Sequence, residues 1–165
     1  MRENIISIKE NIDQEIVLYR ELESLYREKQ QILTENRIGS LVEIDSRIIE
    51  AFDTVKSLII TRNKLFSSFS KSAFTMTEVI ERAREVDSDL ASELMKQKET
   101  ANLLIKELSL LDSINLELTK FGMKLTNKTM QIILDNVAIP TNEYNYKGKV
   151  VGQEKLELSS VSEEI

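Results

Sequence analysis

Apolar residues recur along this chain at helical spacings that are interrupted in only a few places. Ile5, Ile12, Tyr19, Tyr26 and Leu33 stand seven residues apart, with Ile8, Ile16, Leu22 and Leu25 beside them. That spacing lays one continuous stripe along a helix predicted for residues 3–35. Asn36-Arg37-Ile38-Gly39 breaks the stripe, and Ser40 followed by Glu43 has the form of a capping box that opens a second helix at about residue 41. This helix carries Leu41, Ile44, Ile48, Phe52, Val55, Leu58, Leu65 and Phe69 on one face and fades towards residue 70 through the serine-rich run 67–72, which reads as a loop. The first two helices therefore form a hairpin. Thr75 and Glu78 repeat the capping-box spacing for a short third helix over 76–86, and Asp87-Ser88-Asp89 supplies a further break or cap.

From Leu90 to about Asn136 there is no proline and one glycine, which predicts the longest helix, about 89–136. Leu90, Leu104, Leu111, Leu118, Leu125 and Ile132 share one heptad register in it. At about 1.5 Å per residue it runs roughly 70 Å against about 50 Å for the first helix, so its end is expected to overhang unless it kinks or the third helix covers it. The second seam column, Ala101, Leu108, Asn115, Gly122 and Thr129, turns polar or small halfway along. Over the same stretch Leu116, Met123, Met130 and Val137 form another seven-spaced row outside the core-facing stripe. Two readings of that row stand. It is a surface for an amphipathic partner helix, which methionine suits because its side chain adapts in shape, or it is covered by a third bundle helix. Asn115 is either a buried register-fixing residue or a partner contact, and Gly122 marks a kink, a close approach or a tolerated cost.

Pro140 ends the regular pattern. The polar, glycine-punctuated segment after it predicts a disordered tail over 139–165, following a helical bundle over 1–138. Tyr144 and Tyr146 stand in that tail, where exposed aromatics suit a short docking motif, with chance placement of tyrosine near a helix end as the alternative. Gly148-Lys149-Val150-Val151-Gly152 has local β character with no strand to pair with.

Composition narrows the function classes. The 165 residues include one proline and four glycines, and no histidine, cysteine or tryptophan. The fold class expected is all-α, an elongated antiparallel helical bundle or coiled coil with a long C-terminal helix and a disordered tail. Without histidine or cysteine, imidazole acid-base chemistry, thiol nucleophiles, zinc sites of the usual kind and the Glu-x-x-His di-metal bundle site all fail, so no cofactor, no metal and no enzyme activity are expected. The net charge of −6 argues against nucleic acid. Charges interrupt every apolar stretch, so no direct membrane insertion is expected, and Met1-Arg2-Glu3-Asn4 lacks a signal-peptide core, which points to a cytoplasmic location. Asn127-Lys128-Thr129 matches a glycosylation pattern, but it falls within a helix of a chain with no secretion signal. The acidic pairs and Lys/Glu runs read as solvated faces.

The order of features resembles the FlgN family: two long heptad helices joined by a short Asn/Gly turn, a weak connecting segment, then a long helix. Family members tend to show an Asn-x-x-Leu step on the last helix with apolar positions one turn on. Here Asn115-Leu116-Glu117-Leu118 leads to Met123, Leu125, Ile132 and Ile133. A polar tail with a Tyr-x-x-x-Gly element follows, matched by Tyr144-Asn145-Tyr146-Lys147-Gly148. Thr119 departs from the usual apolar residue after Leu118, and the tail beyond Gly148 is longer than the pattern.

The resemblance implies a cytoplasmic chaperone of flagellar type III secretion that holds the C-terminal segments of the hook-filament junction proteins FlgK and FlgL and escorts them to the export gate. On that basis the substrate-binding residues are Asn115, Leu116, Leu118, Met123, Met130, Ile133 and Val137. Tyr144, with Tyr146 and Gly148, docks on the export-gate protein FlhA. A filament-cap chaperone of the FliT kind and a self-assembling coiled-coil subunit are the alternatives.

Overall fold

The computed structural model describes residues 2–67 and 75–137, with the side chains of 136 and 137 left aside. Helix α1 spans Arg2–Thr34, α2 Leu41–Ser67, α3 Met76–Val86 and α4 Ser88–Val137, with a single 3-10 turn at Ile38–Ser40. The chain divides into two compact units, Met1–Met123 and Lys124–Ile165, the division falling within α4. The expected tail over 139–165 and the loop following Ser67 lie outside the described residues.

In the first unit everything packs on α1. Its buried stripe is Ile5, Ile8, Ile12, Ile16, Tyr19, Leu22, Leu25, Tyr26 and Ile32. The N-terminal half of the stripe meets Val79, Ile80 and Ala83 of α3 and Leu90, Ala91 and Leu94 of α4, with Leu65 and Phe66 of α2 at the edge. The C-terminal half meets Ile44, Ile48, Ala51 and Val55 of α2 and Leu111 of α4, with Ala101, Leu104 and Leu108 half-buried against it. A fully buried aliphatic side chain contributes about 1.5–3 kcal/mol, whereas an exposed ion pair contributes about 0–1 kcal/mol. The stripe therefore sets the stability, and the ion pairs report direction.

Lys29–Asp45 (2.7 Å) and Arg47–Glu28 (3.1 Å) place α2 antiparallel to α1. Arg2–Asp87 (3.0 Å), Lys9–Glu93 (3.3 Å) and Arg27–Glu107 place α4 parallel to α1. Lys98 Nζ donates to Thr77 Oγ1 (2.9 Å), so α3 runs back along the start of α4. On α1, α3 thus packs at the Ile5–Ile12 end, beside Leu65 and Phe66 of α2.

A polar layer separates the two apolar clusters. The Glu15 side chain is buried and receives Arg62 Nη1 at 2.6 Å and the Tyr19 hydroxyl at 3.2 Å. With its amide turned to face acceptors, Asn11 Nδ2 donates to Glu15 Oε1 (3.0 Å) and to the Leu58 carbonyl (3.2 Å). Burial pushes the Glu15 carboxyl up from its ordinary value against the pull of Arg62, and burial together with the Glu15 charge pushes the Tyr19 hydroxyl up to about 12. Sliding α2 by a turn would leave Glu15 buried without its cation, at a cost on the order of several kcal/mol. The pair therefore fixes the register of the hairpin.

The connections follow local chemistry. Asn36 takes φ 56 beyond the end of α1, and Arg37 N–H bonds the Ile32 carbonyl (2.9 Å) while Asn36 N–H bonds that of Leu33 (3.3 Å), a Schellman closure. Ser40 does not cap α2 as expected. It ends the 3-10 turn, where the Leu41 N–H bonds the Ile38 carbonyl, so that turn supplies the acceptor a cap would have supplied. Thr75 and Glu78 do form the expected capping box, because the chain enters α3 from an extended residue at φ −104 and ψ 157. Two core positions differ from expectation. Phe52 is exposed while Ala51 is buried, since the inward line of α2 steps 44, 48, 51, 55, and Ile32 replaces Leu33 at the end of α1.

Asp87 ends α3 and caps α4, accepting the N–H groups of Asp89 (3.1 Å) and Leu90 (3.2 Å). The Leu90 N–H first, and then Arg2, hold its carboxyl below the ordinary range. A carboxylate with a lowered folded-state pKa contributes stability that is present above its unfolded pKa and lost as pH falls through the folded value. Asp87→Ala is therefore expected to lower the urea midpoint at pH 7, with the difference from the parent shrinking below about pH 4. An equal loss at both pH values would show that the capping charge is not the source.

Candidate partner-binding surface

Within Met1–Met123, α4 turns a defined face to α1. Leu104, Leu108, Leu111, Asn115 and Leu118 succeed one another at steps of three and four on that face, buried or half-buried. Asn115 was expected among the partner contacts, and the structure corrects this. It is 2% exposed, and its Nδ2 donates to the Tyr26 carbonyl at 2.9 Å. Of its two possible roles the internal one applies. Gln97, eighteen residues earlier, does the same with Asp13 and the Lys9 carbonyl, so two buried amides hold α4 in register on α1. Leu118 is half-buried on the same face.

Leu116 lies roughly 100° round the helix from Asn115 and is 52% exposed, as is Met123 at 63%. The first turn of α3 stands beside Lys98 and Asn102, and α3 runs from there towards the start of α4. It does not cover Leu116 or Met123. A second apolar line, Leu103 at 67%, Leu110 and Phe121 at 67%, stands on the other flank of α4. This line was not expected from the sequence, although its spacing of seven and then eleven residues is helical as well. A methyl group at Gly122 would meet nothing within 4 Å, so among the described residues this glycine serves no close approach.

The described part of the second unit is the helical segment 124–137. Every residue from Lys124 to Asp135 is exposed, including Met130 and Ile133. Leu125 and Ile132, expected on the core register, are exposed too, as is Leu134. Val137 is the last helical residue. Tyr144, Tyr146 and Gly148 lie outside the described residues.

What this surface offers is exposed apolar area. Among the described residues no three acidic, histidine or cysteine side chains cluster as metal ligands. Among the same residues no helix is long and apolar enough to cross a membrane. A hollow of about 280 Å³ lies between α3 and α4 and another of about 300 Å³ where α1, α2, α3 and α4 meet, and neither is lined by Leu116 or Met123. Polar contacts beside Leu116 include the exposed Lys120–Glu117 pair (3.0 Å) and the Thr119 hydroxyl on the Asn115 carbonyl (2.8 Å).

A family model described as FlgN protein matches residues 1–152. No curated protein and no solved structure matches the chain.

The internal role of Asn115 is testable. Asn115→Ala is expected to cost about 1–2 kcal/mol of stability in urea unfolding, from the lost hydrogen bond in a buried site, and to leave partner affinity within about twofold once the variant is folded. Undiminished stability with lost partner binding would return Asn115 to the outer surface.

Proposed function

The chain belongs to the FlgN family of flagellar export chaperones, and we propose that it holds the C-terminal helical segments of the hook-filament junction proteins FlgK and FlgL in the cytoplasm and delivers them to the export gate. The observation that supports this reading is the exposure of Leu116 and Met123 on a helix whose inner face is already filled. Apolar side chains ordered on a rigid helix and left in water suit a partner that brings an apolar face of its own. Met130 and Ile133 offer the same chemistry on the following segment. Methionine at two of these positions accommodates two different substrates without a rigid pocket. In this reading Leu118 contributes its half-buried edge, Val137 extends the contact, and Tyr144 with Tyr146 and Gly148 serves the separate contact with FlhA.

Binding of this kind draws its free energy from buried apolar area, offset by the cost of ordering the substrate segment. It needs neither nucleotide nor metal. Release then follows from competition at the gate, where the tail is engaged.

Titration calorimetry of the full chain against the purified C-terminal segments of FlgK and FlgL tests the proposal. One-to-one binding with a negative heat-capacity change is expected. Each large side chain contributes about 1.5–3 kcal/mol when buried, so the Met123→Asp/Met130→Asp double variant is expected to bind about a hundredfold more weakly or worse, with helicity retained. Tyr144→Ala is expected to leave segment affinity unchanged. Collapse of helicity in the double variant would make the two methionines internal, and absence of binding by the folded parent would sink the reading.

A further inference from the structure

Charge is unevenly placed along α4. Residues 118–134 hold three lysines and no acidic residue, in a chain whose net charge is −6. Lys120 pairs with Glu117 at 3.0 Å. Lys124 and Lys128 lie in the second unit, and the positions three and four residues from them hold Lys120, Phe121, Leu125, Asn127, Gln131, Ile132 or the other lysine. Neither can therefore form the ion pair with a helical neighbour that Lys120 forms. Helical geometry sorts the segment 124–134 into two faces. Lys124, Asn127, Lys128 and Gln131 fall within an arc of roughly 100°. Leu125, Met130, Ile132, Ile133 and Leu134 fall in the remaining arc, interspersed with threonine. The two lysines border the apolar arc on its Leu125/Ile132 side, and the uncharged Asn127 and Gln131 border it on its Leu134 side. All of these residues are exposed.

We infer that the segment 124–134 takes a guest of acidic kind: an amphipathic helical protein segment whose apolar face is bordered by carboxylates that meet Lys124 and Lys128. This assignment rests on the chaperone reading and adds to it the charge of the guest, which apolar area alone leaves open. The pattern favours a protein segment over a lipid surface. Anionic headgroups are held by clusters of about four to eight cations, whereas this border has Lys124 and Lys128 alone, and the negative charge of the whole chain opposes its approach to a lipid surface. Exposed ion pairs add little to tightness. They act on the choice of guest: a segment of equal hydrophobicity with a basic border would set like charges together at the same place and be disfavoured. The two lysines thus discriminate between apolar segments that methionine, adaptable in shape, would accept alike.

The test is titration of the full chain with the FlgK and FlgL C-terminal segments in about 0.1 M and about 1 M sodium chloride, between which the Debye length falls from about 10 Å to about 3 Å. Tighter binding at the lower salt is expected. There Lys124→Glu/Lys128→Glu should weaken binding by about tenfold, and Lys124→Gln/Lys128→Gln by about threefold, with the circular dichroism of the chain unchanged. Segments whose acidic residues are replaced by lysine should bind the parent more weakly and regain affinity for the Lys124→Glu/Lys128→Glu variant, a rescue that a merely structural role of the lysines would not give. Binding by the parent that ignores both salt and charge reversal overturns the inference and leaves the chaperone reading standing. Absence of binding by the folded parent overturns both. Attachment of the chain to phosphatidylglycerol vesicles that is lost in the reversed variant, with segment affinity unchanged, assigns the lysines to lipid and also overturns the inference.

Discussion

The apolar stripe of α1 from Ile5 to Ile32 is the surface on which every other helix of the first unit is held. It is buried from two directions: α2 and then α3 lie along one side, and α4 lies along the other. With nine side chains in the stripe and about 1.5–3 kcal/mol for each fully buried one, no set of exposed ion pairs on the molecule competes with it. Apolar contact alone tolerates sliding, however. The Glu15–Arg62 pair, the Asn115 amide on the Tyr26 carbonyl and the Gln97 amide on Asp13 limit that freedom, because a sliding helix would break each of these contacts.

Since α1 engages one face of α4 and α3 ends its coverage near Lys98, Leu103, Leu110, Leu116, Phe121 and Met123 on the flanks of α4 are exposed. A helix with apolar residues on most of its circumference is normally interior to a larger assembly. In an export chaperone the missing partners come from outside the chain. That is an economical way to shelter a substrate segment: the scaffold is already folded and ordered, and the ordering cost falls on the guest. In the proposed reading the exposed Leu116/Met123 line receives the guest.

Much of this was legible in the amino-acid order, because helical period reports which face of a helix is apolar. The four helices, the Thr75–Glu78 box and the α1 stripe follow from spacing alone. Period does not report what covers a face. Phe52 outranks Ala51 in hydrophobicity, yet the geometry of α2 turns the smaller residue inward, where close contact of helices suits it. Ser40 and Glu43 have the letters of a capping box, but a 3-10 turn feeds α2 directly and takes over its function. Asn115 illustrates the same limit from the other side: a polar residue on a seam is compatible with two roles until its partner, a backbone carbonyl of α1, is in view. The parallel direction of α4 along α1 has no signature in periodicity at all. It emerges from ion pairs such as Lys9–Glu93 between residues far apart in sequence.

Hydrogen exchange of the full chain, free and with the FlgK C-terminal segment bound, tests the central claim most directly, because it reads each part of α4 separately. The account predicts that residues 90–111, already packed on α1, keep the protection they have, while amides around Leu116 to Asp135 gain protection on binding. Protection gained instead along α1, or lost across residues 90–111, would mean that the substrate opens the bundle and enters its core, and would contradict the claim that a pre-ordered outer surface of α4 receives it.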